Sequence, residues 1–151
     1  MAKRRATKRT EATIRYPSHL FSPEDLLSFI ELRAFSKRWD DLGLTDKEMS
    51  LLQALIMIDP TSSPIIEGTG GLRKMRCGRG NKGKSDGFRV CYVYYEEFKI
   101  VLMVIIYAKN EQDNIPDAQK PAIRKIIERI HRELDRRPKQ IGPRRSQKET
   151  E

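Results

Sequence analysis

The sequence predicts an α+β domain built in the order strand, two helices, three strands, helix (β-α-α-β-β-β-α). Three features carry that expectation. A capping box, Thr45-Asp-Lys-Glu48, opens an amphipathic helix. Two strand-like runs, Phe88 to Tyr95 and Lys99 to Tyr107, are joined by a connection as short as Glu96-Glu97-Phe98. A 3.6-residue apolar stripe from Ala122 to Leu134 closes the pattern.

Taken in order, Leu27 to Leu32 reads Leu-Ser-Phe-Ile-Glu-Leu, a mainly apolar run suited to a short first strand. Phe35, Trp39 and Leu42 follow at spacings of four and three, the stripe of a short helix, with Gly43 where a C-cap glycine belongs. In the capping box the Thr45 hydroxyl and the Glu48 carboxylate each satisfy a backbone amide. Met49, Leu52, Leu55 and Ile56 then share one face until Asp59-Pro60 ends the helix. Thr61 to Gly71 is a loop. In Leu72 to Cys77 the two-residue period puts Leu72, Lys74 and Arg76 on one face and Arg73, Met75 and Cys77 on the other. Phe88 to Tyr95, aromatic and β-branched, is the third strand. Lys99 to Tyr107 is apolar on both faces, so it belongs in the middle of a sheet covered from both sides. Asp117 is placed to cap the last helix, whose stripe is Ala122, Ile123, Ile126, Ile127, Ile130 and Leu134. Pro121 is tolerated there because the first helical amides have no intrahelical acceptor to lose.

At 151 residues there is room for about one domain of the usual size. We divide the chain into a basic flexible arm (1–25), a folded domain (26–134) and a basic disordered tail (135–151). Charged residues make up 34% and hydrophobic residues 38%, a balance that suits a soluble globular protein. The apolar run Ile100 to Ile106 is too short to span a bilayer and no signal peptide is visible, so the cytoplasm is expected and a membrane is not. Cys77 and Cys91 are read as buried thiols that a reducing compartment would keep unbridged. Two cysteines and the distant His19 and His131 do not make a zinc site, and no metal or other cofactor is expected.

The charge is not evenly spread. Between Leu72 and Cys91 lie Arg73, Lys74, Arg76, Arg79, Lys82, Lys84 and Arg89 against Asp86 alone, which is +6 of the formal +9. Cations framed by strands rather than tails point to a folded surface for polyanions. Within this stretch, Gly78-Arg-Gly-Asn-Lys-Gly-Lys84-Ser85 matches the phosphate-loop pattern G-x-x-x-x-G-K-[ST]. That pattern binds a nucleoside triphosphate when a helix follows, and here a strand follows, so no nucleotide site is expected.

Gly68-Thr-Gly-Gly-Leu-Arg-Lys-Met-Arg76, the glycine and lysine loop, Phe88-Arg-Val-Cys-Tyr92 and Tyr107-Ala-Lys-Asn-Glu111, in that order after a helical hairpin, resemble the RelE/ParE toxin superfamily over roughly residues 26–134. Within it the chain most resembles the HigB-like branch. The resemblance implies a small, mostly antiparallel sheet with an N-terminal helical hairpin and a C-terminal helix. It also implies a toxin of a type II toxin–antitoxin module that enters the ribosome, cuts messenger RNA and is neutralised by a cognate antitoxin, expected to be of helix-turn-helix type. Lys74 and Arg76 match the family's second-strand basic pair, Arg89 its third-strand arginine, and Lys109 and Asn110 the position after the fourth strand. Where RelE has a late tyrosine this chain has Ile115 or Pro116, so that role is vacant or has moved to Tyr107 or Tyr94.

Metal-independent cleavage of RNA requires a group to take the 2′-hydroxyl proton, cations to hold the charge gathering on phosphorus, and a donor for the departing 5′-oxygen. Lys74, flanked by Arg73 and Arg76, is the candidate base, and Arg89 is the candidate phosphate clamp. Tyr107 and Lys109 complete the candidate catalytic set. Arg73, Arg79, Lys82, Lys84 and Asn110 are candidate RNA contacts. The competing expectations are a non-catalytic binder of RNA or the ribosome and, as in the ParE branch, an inhibitor of DNA gyrase.

Overall fold

A four-stranded sheet in the order β1-β4-β3-β2 divides two apolar cores. The computed structural model describes residues 26–78, 87–112 and 114–137. The expected arm, the end of the expected tail, and Arg79, Lys82 and Lys84 of the glycine loop lie outside these described residues. The elements are β1 (Ser28–Glu31), α1 (Arg33–Asp41), α2 (Asp46–Ile58), β2 (Arg73–Cys77), β3 (Phe88–Tyr95), β4 (Ile100–Ala108) and α3 (Lys120–Arg136). β4 is central as expected, antiparallel to β3 and parallel to β1, and β3 is antiparallel to β2.

One face of the sheet carries Cys77, Phe88, Val90, Tyr92, Val101, Met103 and Ile106 against the hairpin of α1 and α2. Trp39 is wholly buried there, stacked on Phe35 with ring centroids 6.0 Å apart and meeting Phe88 edge-on at 6.0 Å. The other face carries Leu72, Cys91, Val93, Tyr95, Leu102, Val104 and Tyr107 against Ile115 and the inner stripe of α3. The Tyr95 hydroxyl donates 2.8 Å to the Ile127 carbonyl and ties the helix to the sheet.

Several local expectations are corrected. Leu55 does not join the core face of α2. It is 54% exposed, and Gln53 and Met57 are buried with Met49, Leu52 and Ile56 because the helix sits rotated toward α1 and the sheet. Asp117 does not cap α3. Residues Asp117–Gln119 form a 3-10 turn, Asp117 pairs with Lys120 at 2.8 Å, and the helix starts at Lys120 behind Gln119. Ala122 faces solvent.

The capping box of α2 forms in full. The Glu48 amide donates 3.1 Å to the Thr45 hydroxyl, and the Thr45 amide donates 2.8 Å to the Glu48 carboxylate. Thr45→Ala is expected to cost about 1 kcal/mol, which a urea titration would resolve; an unchanged midpoint would mean the cap contributes nothing.

Between α2 and β2 the chain turns back along the outer edge of β2, with the Lys74 amide donating to the Pro64 carbonyl at 3.0 Å and the Ile66 amide to the Leu72 carbonyl at 2.8 Å. Gly68 and Gly70 make this turn at φ +84° and +81°, where side chains are strained. Between them Thr69 is fully buried, its hydroxyl donating to the Ile66 carbonyl at 2.6 Å and accepting from the Leu72 amide at 3.1 Å. The Gly-Thr-Gly-Gly motif is thus a folded turn that starts β2. At the far end of the glycine loop Gly87 packs so closely on β2 that a Cβ there would lie 1.8 Å from the Cys77 carbonyl oxygen.

Candidate functional site

The cations converge through strand register. Arg76 pairs with Arg89 across β2 and β3, and Arg89 pairs with Tyr107 across β3 and β4. The next row is Lys74, Cys91 and Ile105. Directly opposed residues have Cβ atoms about 5 Å apart, and residues two apart on a strand about 7 Å. Lys74, Arg76, Arg89 and Tyr107 therefore form a patch on the face that α3 covers farther along. Arg76 is exposed, whereas Arg89 is 7% and Tyr107 3% exposed.

Tyr107 reaches this face through an irregularity. Cys91 pairs with Ile105 but Tyr92 pairs with Met103, so Val104 is an extra residue on β4. The bulge reverses the alternation. Met103 faces the α1–α2 core, and Tyr107, four residues on, faces the α3 core beside Arg89.

The rest of the patch is fastened from outside the strands. Lys74 Nζ donates 3.0 Å to Asn114 Oδ1. The Lys109 amide donates 3.1 Å to the Gly87 carbonyl, which holds the turn after β4 against the start of β3. Glu111 accepts from the Ala108 amide at 3.0 Å and pairs with Arg38 of α1. The hydrogen bond from Arg38, and then that from Ala108, hold the Glu111 carboxyl below its usual range. Asn110 lies exposed in the turn so braced. Arg38 and Asn114 were missed by sequence reasoning. Arg38 is 73 positions from Glu111 and Asn114 is 40 from Lys74, and no local pattern connects them.

Arg73 stands apart. Its guanidinium donates to the carbonyls of Thr61 and Ser63 at 2.9 and 2.8 Å, fastening the loop on the opposite face from Lys74. It supplies no charge beside Lys74, and the cations that share the Lys74 face are Arg76 and Arg89. Tyr92, on the Arg73 face, donates 2.8 Å to the Pro60 carbonyl and is a packing residue. Ile115, which with Pro116 is where the resemblance would put the late tyrosine, is 4% exposed in the α3 core. His131 contacts Glu97 at 2.8 Å and packs near the rings of Tyr95 and Phe98, at the other end of β3 from Arg89. Among the described residues no group of three or more His, Cys, Asp or Glu side chains could hold a metal, and no helix is long and apolar enough to cross a membrane.

Cys77 and Cys91 form no disulfide, and both are buried, on opposite faces of the sheet. Burial pushes the Cys91 thiol from 9.0 up to about 12, against a smaller lowering by Lys74, and burial likewise pushes Tyr95 up to about 12. The sign follows directly. Above pH 9 the unfolded chain releases protons that the native state keeps, so stability is complete below that pH and falls as pH rises toward 12. The Cys91 contribution is roughly 1.4 kcal/mol per pH unit. Urea titrations from pH 8 to 11 should show the decline, with a shallower one in Cys91→Val; identical slopes would remove Cys91 as its source.

A four-stranded sheet backed by a helical hairpin, with opposed cations at one end of its other face, defines a small α+β domain. Residues 31–141 match the family described as the RelE toxin of the RelE/RelB toxin–antitoxin system, and the chain belongs to that family. It is therefore a toxin-family member whose partner is an antitoxin. Among solved structures it is similar to the E. coli toxin RelE mutant in the free state, at 14% identity and a TM-score of 0.46, covering 65% of this chain and 96% of that one. It is also similar to the isolated E. coli RelE toxin, at 16% identity and a TM-score of 0.40, covering 66% and 98%.

Proposed function

We propose that this chain is a ribosome-dependent messenger RNA endonuclease of the HigB-like branch, acting in the cytoplasm without a metal and held in check by a helix-turn-helix antitoxin. The observation that carries the reading is the direct opposition of Arg76 and Arg89 in the β2–β3 register. Like charges facing each other across strands destabilise a sheet, and an anion seated between them reverses the sign of that interaction. A scissile phosphate is such an anion, and its charge becomes more concentrated on the path to cleavage.

In this scheme Lys74, acting as the unprotonated amine and steadied by Asn114, accepts the 2′-hydroxyl proton and becomes the ammonium. The 2′-oxygen attacks phosphorus, the bond to the 5′-oxygen breaks, and Lys109 supplies the proton that the leaving oxygen needs. Arg76 and Arg89 hold the phosphorane charge. Tyr107, buried in register with Arg89, positions that guanidinium, and Arg38 acts one step further out by bracing the Lys109–Asn110 turn through Glu111.

The test is to induce the protein and map RNA ends, then repeat the cleavage with purified ribosomes and a defined messenger in the presence of a chelator. New 5′ ends inside the reading frame, produced when ribosomes are present, are expected. Intact messenger accompanied by DNA breaks would replace this reading with gyrase inhibition, and intact messenger with ribosome binding would leave a non-catalytic binder.

A further inference from the structure

The outward side of α3 carries Lys125, Arg129 and Arg132, all exposed and spaced by four and three, so they form one stripe along the helix. The other cations of the helix have partners. Lys120 pairs with Asp117 at 2.8 Å, Arg124 with Glu128 at 3.0 Å and Arg136 with Glu133 at 3.1 Å. The three stripe cations make no ion pair among the described residues. Like charges at this spacing weaken a helix slightly, so the fold itself gains nothing from them.

The stripe is also rigidly presented. Ile123, Ile127 and Leu134 anchor the inner side of α3, the Tyr95 hydroxyl holds the Ile127 carbonyl, and Glu97 holds His131. At 1.5 Å per residue, Lys125 to Arg132 spans about 10 Å, the length of on the order of three successive phosphates on one strand. Because α3 packs over the sheet face that carries Arg76 and Arg89, the stripe looks out on the same side of the molecule as the candidate site.

We infer that Lys125, Arg129 and Arg132 form a docking surface for the phosphate backbone of structured RNA, separate from the residues that meet the scissile phosphate. That the RNA is ribosomal rests on the function proposed above; the surface itself rests on the charge and geometry of α3. It holds the protein against its RNA without taking part in the chemistry.

The experiment uses the full chain and a Lys125→Gln/Arg129→Gln/Arg132→Gln variant, glutamine keeping helix propensity and removing charge. Binding to purified ribosomes and to a ribosomal RNA hairpin is measured against KCl concentration, alongside antitoxin binding and cleavage at saturating ribosomes. The variant is expected to lose roughly two to three units of the log affinity versus log salt slope. Its affinity should fall at least about tenfold at physiological salt, with cleavage at saturation and antitoxin binding unchanged. A variant carrying Arg129→Lys and Arg132→Lys should keep the parental slope. Unchanged affinity and slope overturn the inference, as does a variant that loses the antitoxin but not RNA, or a parent protein that binds neither RNA. A parent that binds the hairpin steeply yet cuts no messenger would sink the proposed function and leave the docking surface standing. A parent that cuts while the variant binds as tightly would do the reverse.

Discussion

Arg89→Ala is expected to lower messenger cleavage on ribosomes by about a hundredfold to a thousandfold, the usual effect of removing one donor aimed at developing charge. Arg89 is 7% exposed, lies opposite Arg76 and in register with Tyr107, so its side chain is packed rather than free in solvent. Arg89→Lys should recover part of the rate, since it restores the charge but not the planar fork that grips two oxygens together. Arg76→Ala and Lys74→Ala should each lose activity as well, and the double changes should fall well short of the product of the single losses if the patch acts as a unit. Circular dichroism and antitoxin binding report whether each variant remains folded. A folded Arg89→Ala protein that cuts at the parental rate would place the chemistry elsewhere.

Trp39→Ala should cost about 3–5 kcal/mol, a large share of the roughly 5–15 kcal/mol that holds an ordinary domain together. Trp39 is wholly buried between Phe35 and Phe88, so truncation opens a cavity where α1 meets β3, one residue before Arg89. Leu55→Ala on the exposed side of α2 should change stability by less than about 0.5 kcal/mol. Urea midpoints of the two variants decide the matter. Equal midpoints would mean that the hairpin packs on the sheet in another way.

Much of the architecture was legible because it is written at short range. The capping box, the Asp59-Pro60 stop and the strand alternation of residues 72–77 each depend on neighbours a few positions away, and each appears where expected. β3 runs from Phe88 to Tyr95 as read, and β4 is central because both of its faces are apolar. The same two-residue period put Lys74 and Arg76 on one face of β2 and Arg89 on the face of β3 opposite Phe88, Val90 and Tyr92; the β2–β3 register made those faces one. Leu55 went astray because an amphipathic stripe wider than the buried face does not say which edge of it meets the core. Asp117 did so because a 3-10 turn and a helix start share the same first-turn chemistry.

By itself, then, the sequence determined the order of elements, the basic stretch and the alternation that sets Lys74 and Arg76 on the opposite side of β2 from Arg73. Tertiary structure decided the rest. Which residue of β4 stands beside Arg89 depends on the extra residue at Val104, and a strand apolar on both faces carries no alternation from which a bulge could be read. Turning Arg73 away to the Thr61 and Ser63 carbonyls, bracing Lys74 with Asn114 and joining Arg38 to Glu111 are contacts between distant segments. Such contacts exist only once the sheet has fixed the distances between its connections, and no local periodicity encodes them.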